Sequence, residues 1–167
     1  FVTAARFARM ARGKEFAEWA EVHGHCYGTS WREIRAKSGQ GRTLVLSVDR
    51  DDDIGWKAKI ESPAVGRAAC LEAANTLALA DPEDSDINAI FSAVKIYDEL
   101  TAKGEATEIA VIAGNHLHMI DGDRRIASSL EQVVRETGAT NCILVTDGAE
   151  DEYVIPIIQS QIPVSSI

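Results

Sequence analysis

The chain has 167 residues, the usual size of one domain, with the apolar share of a globular protein that buries a core. Its formal net charge of −9 is unevenly placed: residues 1–42 hold eight Lys/Arg against four Glu, a balance of +4, so the other 125 residues carry −13. An acidic body disfavours nucleic acid, whose polyanionic backbone is met by clustered Lys and Arg, so no nucleic-acid partner is expected; a cation site or simple solubility fits better.

Cys26, Cys70 and Cys142 are odd in number and without paired spacing, as reduced thiols of an intracellular protein would be. No window approaches the roughly 18 consecutive apolar residues of a membrane-spanning helix, so the chain reads as soluble. Its start on Phe1 and its end on "IPVSSI" read as a piece of a longer protein.

The first stretch reads as a helix, with Phe7, Met10, Ala11 and Phe16 near one stripe and arginines on the other face. "HGHCYGTS" ends it, the capping-box spacing of Ser30 to Glu33 starts a second short helix, and "SGQGR" is a linker, so residues 1–42 form a helical extension. From Thr43 the pattern changes: "TLVLSV" is a short apolar run rich in branched residues, the pattern of a strand buried on both faces. A polar loop containing Pro63 follows, then a helix through Leu71, Ala74, Leu77 and Ala78 that Pro82 ends, and a second with Ile87, Ile90, Phe91, Val94 and Tyr97 inward that Gly104 ends. "TEIAVIAG" is a strand, "DRRIASSLEQVVRETG" a helix, "NCILVTDG" a strand, "EDEYVIPIIQSQ" a short helix with Pro156 in its first turns, and "IPVSSI" a strand. This alternation predicts that residues 43–167 form an α/β domain, Rossmann-like and doubly wound, with a mainly parallel four-stranded sheet in the order 2-1-3-4 and helices on both faces.

In such sheets ligands bind beyond the carboxyl ends of the strands, where the winding reverses. Two acidic clusters are predicted to meet there: "DRDDD" after the first strand and "DGAEDE" after the third. Carboxylates that close raise one another's pKa unless a hard cation or N–H donors compensate, and oxygen-only ligands favour Mg²⁺, Mn²⁺ or Ca²⁺. The metal ligands expected are Asp49, Asp51, Asp53 and Asp147, with Asp151 in an outer position, while Asp52, Glu150 and Glu152 read as solvated or helix-capping acids. Such a centre serves hydrolysis of a phosphate ester or phosphoryl transfer, and Arg67, at a helix start, and His116, on the rim after the second strand, are the candidates to contact a phosphate-containing ligand.

Other motifs fail on spacing. Asp49, Asp51 and Asp53 alternate as in a calcium loop, but Gly55 and Glu61 each fall one position late. "HGHC", residues 23–26, lacks a second ligand pair for zinc, and there is no P-loop, dinucleotide fingerprint or serine elbow. The readings that compete with a cation site are a noncatalytic regulatory or assembly domain and a dimerising module in which the acids cap and solvate.

The blocks "TLVLSVDRDDDIG", "SPAVGR", "LALADPEDSDINAIFSAVKIYDEL" and "LVTDGAEDEYVIPIIQSQIPV", in that order across residues 43–167, resemble the archaeal domain-of-unknown-function family 373, described as predicted membrane proteins. The resemblance implies a soluble, cytoplasmic α/β part followed in the parent by membrane-spanning helices, so that a membrane is met only through the remainder of that parent. It implies no reaction, and residues 1–42 stand outside its pattern.

Overall fold

The computed structural model describes residues 2–22, 24–32, 41–148 and 153–166. Helix α1 (Ala4–Arg12) is capped by the Thr3 side chain, which accepts from the Arg6 N–H, and ends at Gly13. The chain then turns, with Lys14 at φ 53°, into an antiparallel hairpin of β1 (Phe16–Val22) and β2 (His25–Ser30), where Gly24 at φ 77° lies in the turn. This corrects the expected helical extension. Phe16 belongs to a strand and meets Phe7 across the turn, rings stacked at 4.4 Å, while Trp19 packs edge-on to Phe7 at 5.9 Å. An apolar spacing that imitates one helical stripe is thus made by two elements, and aromatic and β-branched residues in the second favour the extended form. The second helix expected from Ser30 to Glu33 runs into residues 33–40, which lie outside the described residues, as does His23.

The main sheet has five strands, not four: β3 (Arg42–Asp49), β4 (Ala64–Val65), β5 (Thr107–Ala113), β6 (Ala139–Val145) and β7 (Val164–Ser166), in spatial order β4-β5-β3-β6-β7. The β3–β5, β3–β6 and β6–β7 pairs are parallel. The addition is β4, in the segment read as a loop around Pro63, which pairs antiparallel with β5 through Ala64↔Val111 and Val65↔Ala110 and makes the sheet mixed. A two-residue strand is too short to show a period in the sequence.

The described residues form five further helices: α2 (Asp53–Trp56), α3 (Arg67–Ala80), α4 (Asp86–Ala102), α5 (Met119–Thr137) and α6 (Ile155–Gln159). Side chains of the central strand alternate between two cores. Leu44, Leu46 and Val48 join Ile126, Leu130 and Val133 of α5 and Ile158 of α6, whereas Val45 joins Cys70, Ala74 and Leu77 of α3 and Ile90, Val94 and Leu100 of α4. Covered on both faces, β3 is buried from Thr43 to Asp49, which accounts for its unbroken apolar run. Trp31, just after β2, is buried in the α3/α4 core, and the Lys103 ammonium lies 3.6 Å from its ring centroid, so the hairpin is anchored at the carboxyl end of α4. Among the described residues no helix is long and apolar enough to cross a membrane.

Candidate functional site

Strand β3 delivers Asp49 to the carboxyl edge of the sheet, and α2 begins four residues later. The Asp49 side chain is 1% exposed and is the cap of that short helix: Oδ1 accepts the Asp53 N–H at 2.9 Å and Oδ2 accepts the Ile54 N–H at 2.7 Å. Both oxygens therefore serve the backbone. Burial pushes the Asp49 carboxyl up to about 6 against the pull of the two N–H groups, with the charges of Asp53 and Asp52 adding to the rise.

The folded state thus holds this proton more tightly than the unfolded chain does. Between about pH 4, where a free aspartate titrates, and pH 6, the native state binds more protons, so stability falls as pH rises and levels off above pH 6. The upper bound of the effect is about 3 kcal/mol. Urea unfolding should accordingly give a more stable protein at pH 5 than at pH 7, and Asp49→Asn should flatten that difference.

Asp52 neither is solvated nor caps a helix with its side chain, the two roles expected of it. It sits at φ 62° with its carboxylate buried, and Arg125 of α5 donates to its Oδ2 at 2.7 Å and to the Gly114 carbonyl at 2.9 Å. The Gly114 N–H donates to the Asp49 carbonyl at 2.8 Å and the Asn115 N–H to the Arg50 carbonyl at 3.1 Å, so the loops after β3 and β5 are fastened together. His116 stacks on Trp56 at 4.7 Å in the same place, which puts it on the expected rim, against an indole.

Asp53 faces the other side of β3, toward the start of α4. Its carboxylate converges with those of Asp84 and Asp86, one ligand oxygen from each lying within 4.8 Å of the others. Lys57, one turn after Asp53, reaches Asp53 at 3.0 Å and Asp81 and Asp84 at 2.7 Å. One ammonium thus bridges three carboxylates, and this answers most simply how the crowding is tolerated. Hydrogen bonds to Asp81 and then Asp84 raise the Lys57 pKa, and the same contact lowers that of Asp81. Burial raises Asp53, with Lys57 opposing and Asp84 reinforcing. Asp147, after β6, accepts from Ser85 Oγ, between Asp84 and Asp86, and so borders the same group.

The expected metal set is therefore divided. Asp53 joins the convergent group, Asp147 borders it through Ser85, Asp49 caps α2, and Asp51 is exposed in the turn. Asp151, with Glu150 and Glu152, lies outside the described residues. Arg67 is not on the rim: Gly66 before it donates to the Ile109 carbonyl, toward the amino end of β5, and Arg67 is paired with Asp98 of α4 through Nε at 2.6 Å and Nη2 at 2.9 Å. Sequence reasoning passed over Lys57, Asp84 and Asp86. The signals were there: Lys57 four residues after Asp53, and the alternating acids of "DPEDSD" at a helix start.

A family described as a domain of unknown function, DUF373, matches residues 42–167. An uncharacterized protein of Archaeoglobus fulgidus is 48% identical over 126 residues, 75% of this chain and 37% of its own length, and one of Methanocaldococcus jannaschii is 41% identical over 128 residues, 75% and 34% of the two chains. This chain thus spans little more than a third of the curated relatives it matches. A guanylate kinase of Geobacter sulfurreducens is 51% identical over a further kind of match, 49 residues, 29% of this chain and 24% of the kinase. No solved structure matches the chain. With most of its length in one match, and archaeal relatives over the same extent, the chain belongs to the DUF373 family.

Proposed function

We propose that the α/β domain binds a divalent cation, Mg²⁺ foremost, at the rim formed by Asp53, Asp84 and Asp86, with Asp147 alongside. The observation that carries this reading is the approach of three carboxylates on two elements, with Asp84 nearly buried and a single lysine among them. We read the fold as doubly wound and Rossmann-like, supported by the two cores on opposite faces of β3, which makes this rim the place where ligands of such sheets bind. A phosphate-containing ligand would complete the coordination of the cation, and hydrolysis of a phosphate ester or phosphoryl transfer is the chemistry that follows. In the parent, this part would stand on the cytoplasmic side of a membrane.

Calorimetric titration with Mg²⁺, Mn²⁺ and Ca²⁺ tests the site. Wild type should bind at least one of them, and Asp53→Asn with Asp84→Asn should weaken that binding at least 10-fold. Lys57→Met should lose stability in EDTA and regain it on addition of the cation, because the metal replaces the ammonium. Absence of binding by both wild type and Lys57→Met would sink the reading.

A second reading concerns residues 1–41, which lie outside the family match. We assign the guanylate kinase likeness to this segment together with β3, and with it binding of guanylate. These 167 residues hold no Gly-x4-Gly-Lys-Ser/Thr, so binding without phosphoryl transfer is the activity proposed. Titration with guanylate, followed by tryptophan fluorescence, decides it: no saturable change at millimolar ligand rejects the assignment.

A further inference from the structure

The two ends of the molecule differ in sign. On the hairpin unit, made of α1 with the β1–β2 hairpin, Arg6, Arg9, Arg12 and Lys14 are exposed, and none forms an ion pair with a described residue. At the rim, Asp51, Asp53, Asp81, Asp84, Asp86 and Asp147 stand with Lys57. Exposed apolar side chains follow the same division. Of the ten large apolar residues left exposed among the described residues, Val2, Trp19 and Tyr27 are on the hairpin unit, and Trp56, Leu117, Met119, Ile120 and Tyr153 are at the rim, which leaves two elsewhere. Leu117, Met119 and Ile120 are each about 70% exposed, within four positions around the start of α5, more apolar surface than an isolated side chain accounts for.

These surfaces cannot meet within one chain. The hairpin unit is anchored through Trp31 against Lys103, just past the carboxyl end of α4, whereas Asp84 and Asp86 mark the amino end of that helix at the rim. Seventeen helical residues separate the two ends by about 25 Å. We propose that the occupant of both surfaces is a second copy of this chain, bound head to tail, the cationic hairpin unit of one copy on the acidic, apolar rim of the next. Opposite charge sets the orientation and the exposed Leu117, Met119 and Ile120 supply the area removed from water. The contact is heterologous, so it propagates into short chains or closes into a ring.

Sedimentation velocity over 10 to 200 µM on the whole chain, in EDTA and free of nucleic acid, tests the proposal separately from the cation and guanylate readings. Wild type should self-associate in 50 mM salt, and its apparent dissociation constant should rise at least 10-fold in 500 mM salt. Arg6→Glu/Arg9→Glu/Arg12→Glu should be monomeric, and so should Leu117→Ser/Met119→Ser/Ile120→Ser. A mixture of the two variants should form a one-to-one dimer and nothing larger, because each supplies the surface that the other lacks. A monomeric wild type, association untouched by either set, or a mixture that stays monomeric would each overturn it.

Discussion

Replacing Asp49 with alanine should lower the stability of the fold by about 2–3 kcal/mol at pH 5, and by less at pH 7. The substitution removes the acceptors of the Asp53 and Ile54 N–H groups, the second of which is buried, and as the first two N–H groups of α2 they have no partner within the helix. At pH 7 the loss is partly offset, because the substitution also removes a buried charge whose pKa stands at about 6; at pH 5 the side chain is mostly neutral and only the loss of capping is felt. Asp49→Asn should fall between wild type and Asp49→Ala, since its amide oxygen keeps one of the two bonds while its NH₂ faces the other donor. Urea denaturation followed by fluorescence at both pH values measures this. A loss under about 0.5 kcal/mol at both would mean that the cap is solvated and the residue dispensable to the fold.

The same residue shows why the site was only partly legible. That Asp49 would end a central strand at the carboxyl edge could be read from "TLVLSVD", because a strand covered on both faces needs an unbroken apolar run and a sheet rim begins where that run ends. Which way its carboxylate turns could not, since α2 is four residues long and shows no helical period. The convergent acids depend on a similar accident of packing. Asp84 lies in the short turn between two helices and Asp86 opens the second of them, where acids usually solvate or cap, and only the docking of α4 beside β3 brings them to Asp53. Arg67 illustrates the opposite error. The helix start was correctly located, but β4 reverses the chain, so that helix begins away from the rim. At the amino end of the chain, Phe7 and Phe16 do pack together as their spacing suggested, through a turn and a strand in place of one continuous helix.

Two acids adjacent in sequence thus have separate tasks, decided by the pleat and the turn. Asp52 and Arg125 fasten the β3 loop to the α5 side of the sheet, while Lys57, beside Asp53, holds the α4 side through Asp84. The rim is built from both fastenings, with Asp49 beneath them supporting α2. A loosening on the α5 side should therefore be felt at the carboxylates on the other, through the backbone that Asp52 and Asp53 share.

Gly114→Ala is the substitution that loosens it. A Cβ at this position would overlap the Arg50 carbonyl and lie 3.3 Å from Ile126 Cδ1, and the first of these is backbone that no rotamer change can move. Relief requires the loops after β3 and β5 to part, which strains the bonds from Gly114 N–H to the Asp49 carbonyl, from Asn115 N–H to the Arg50 carbonyl and from Arg125 to the Gly114 carbonyl. The expected loss is about 2–4 kcal/mol. Gly148→Ala, where the added methyl meets nothing within 4 Å, should stay within about 0.5 kcal/mol of wild type. Because His116 is carried by the displaced loop, the Trp56 emission should change in the native state of Gly114→Ala before any denaturant is added, and not in Gly148→Ala. Native-like emission together with native-like stability in Gly114→Ala would show that the two loops are free to separate, and that the rim is assembled without the fastening argued for it.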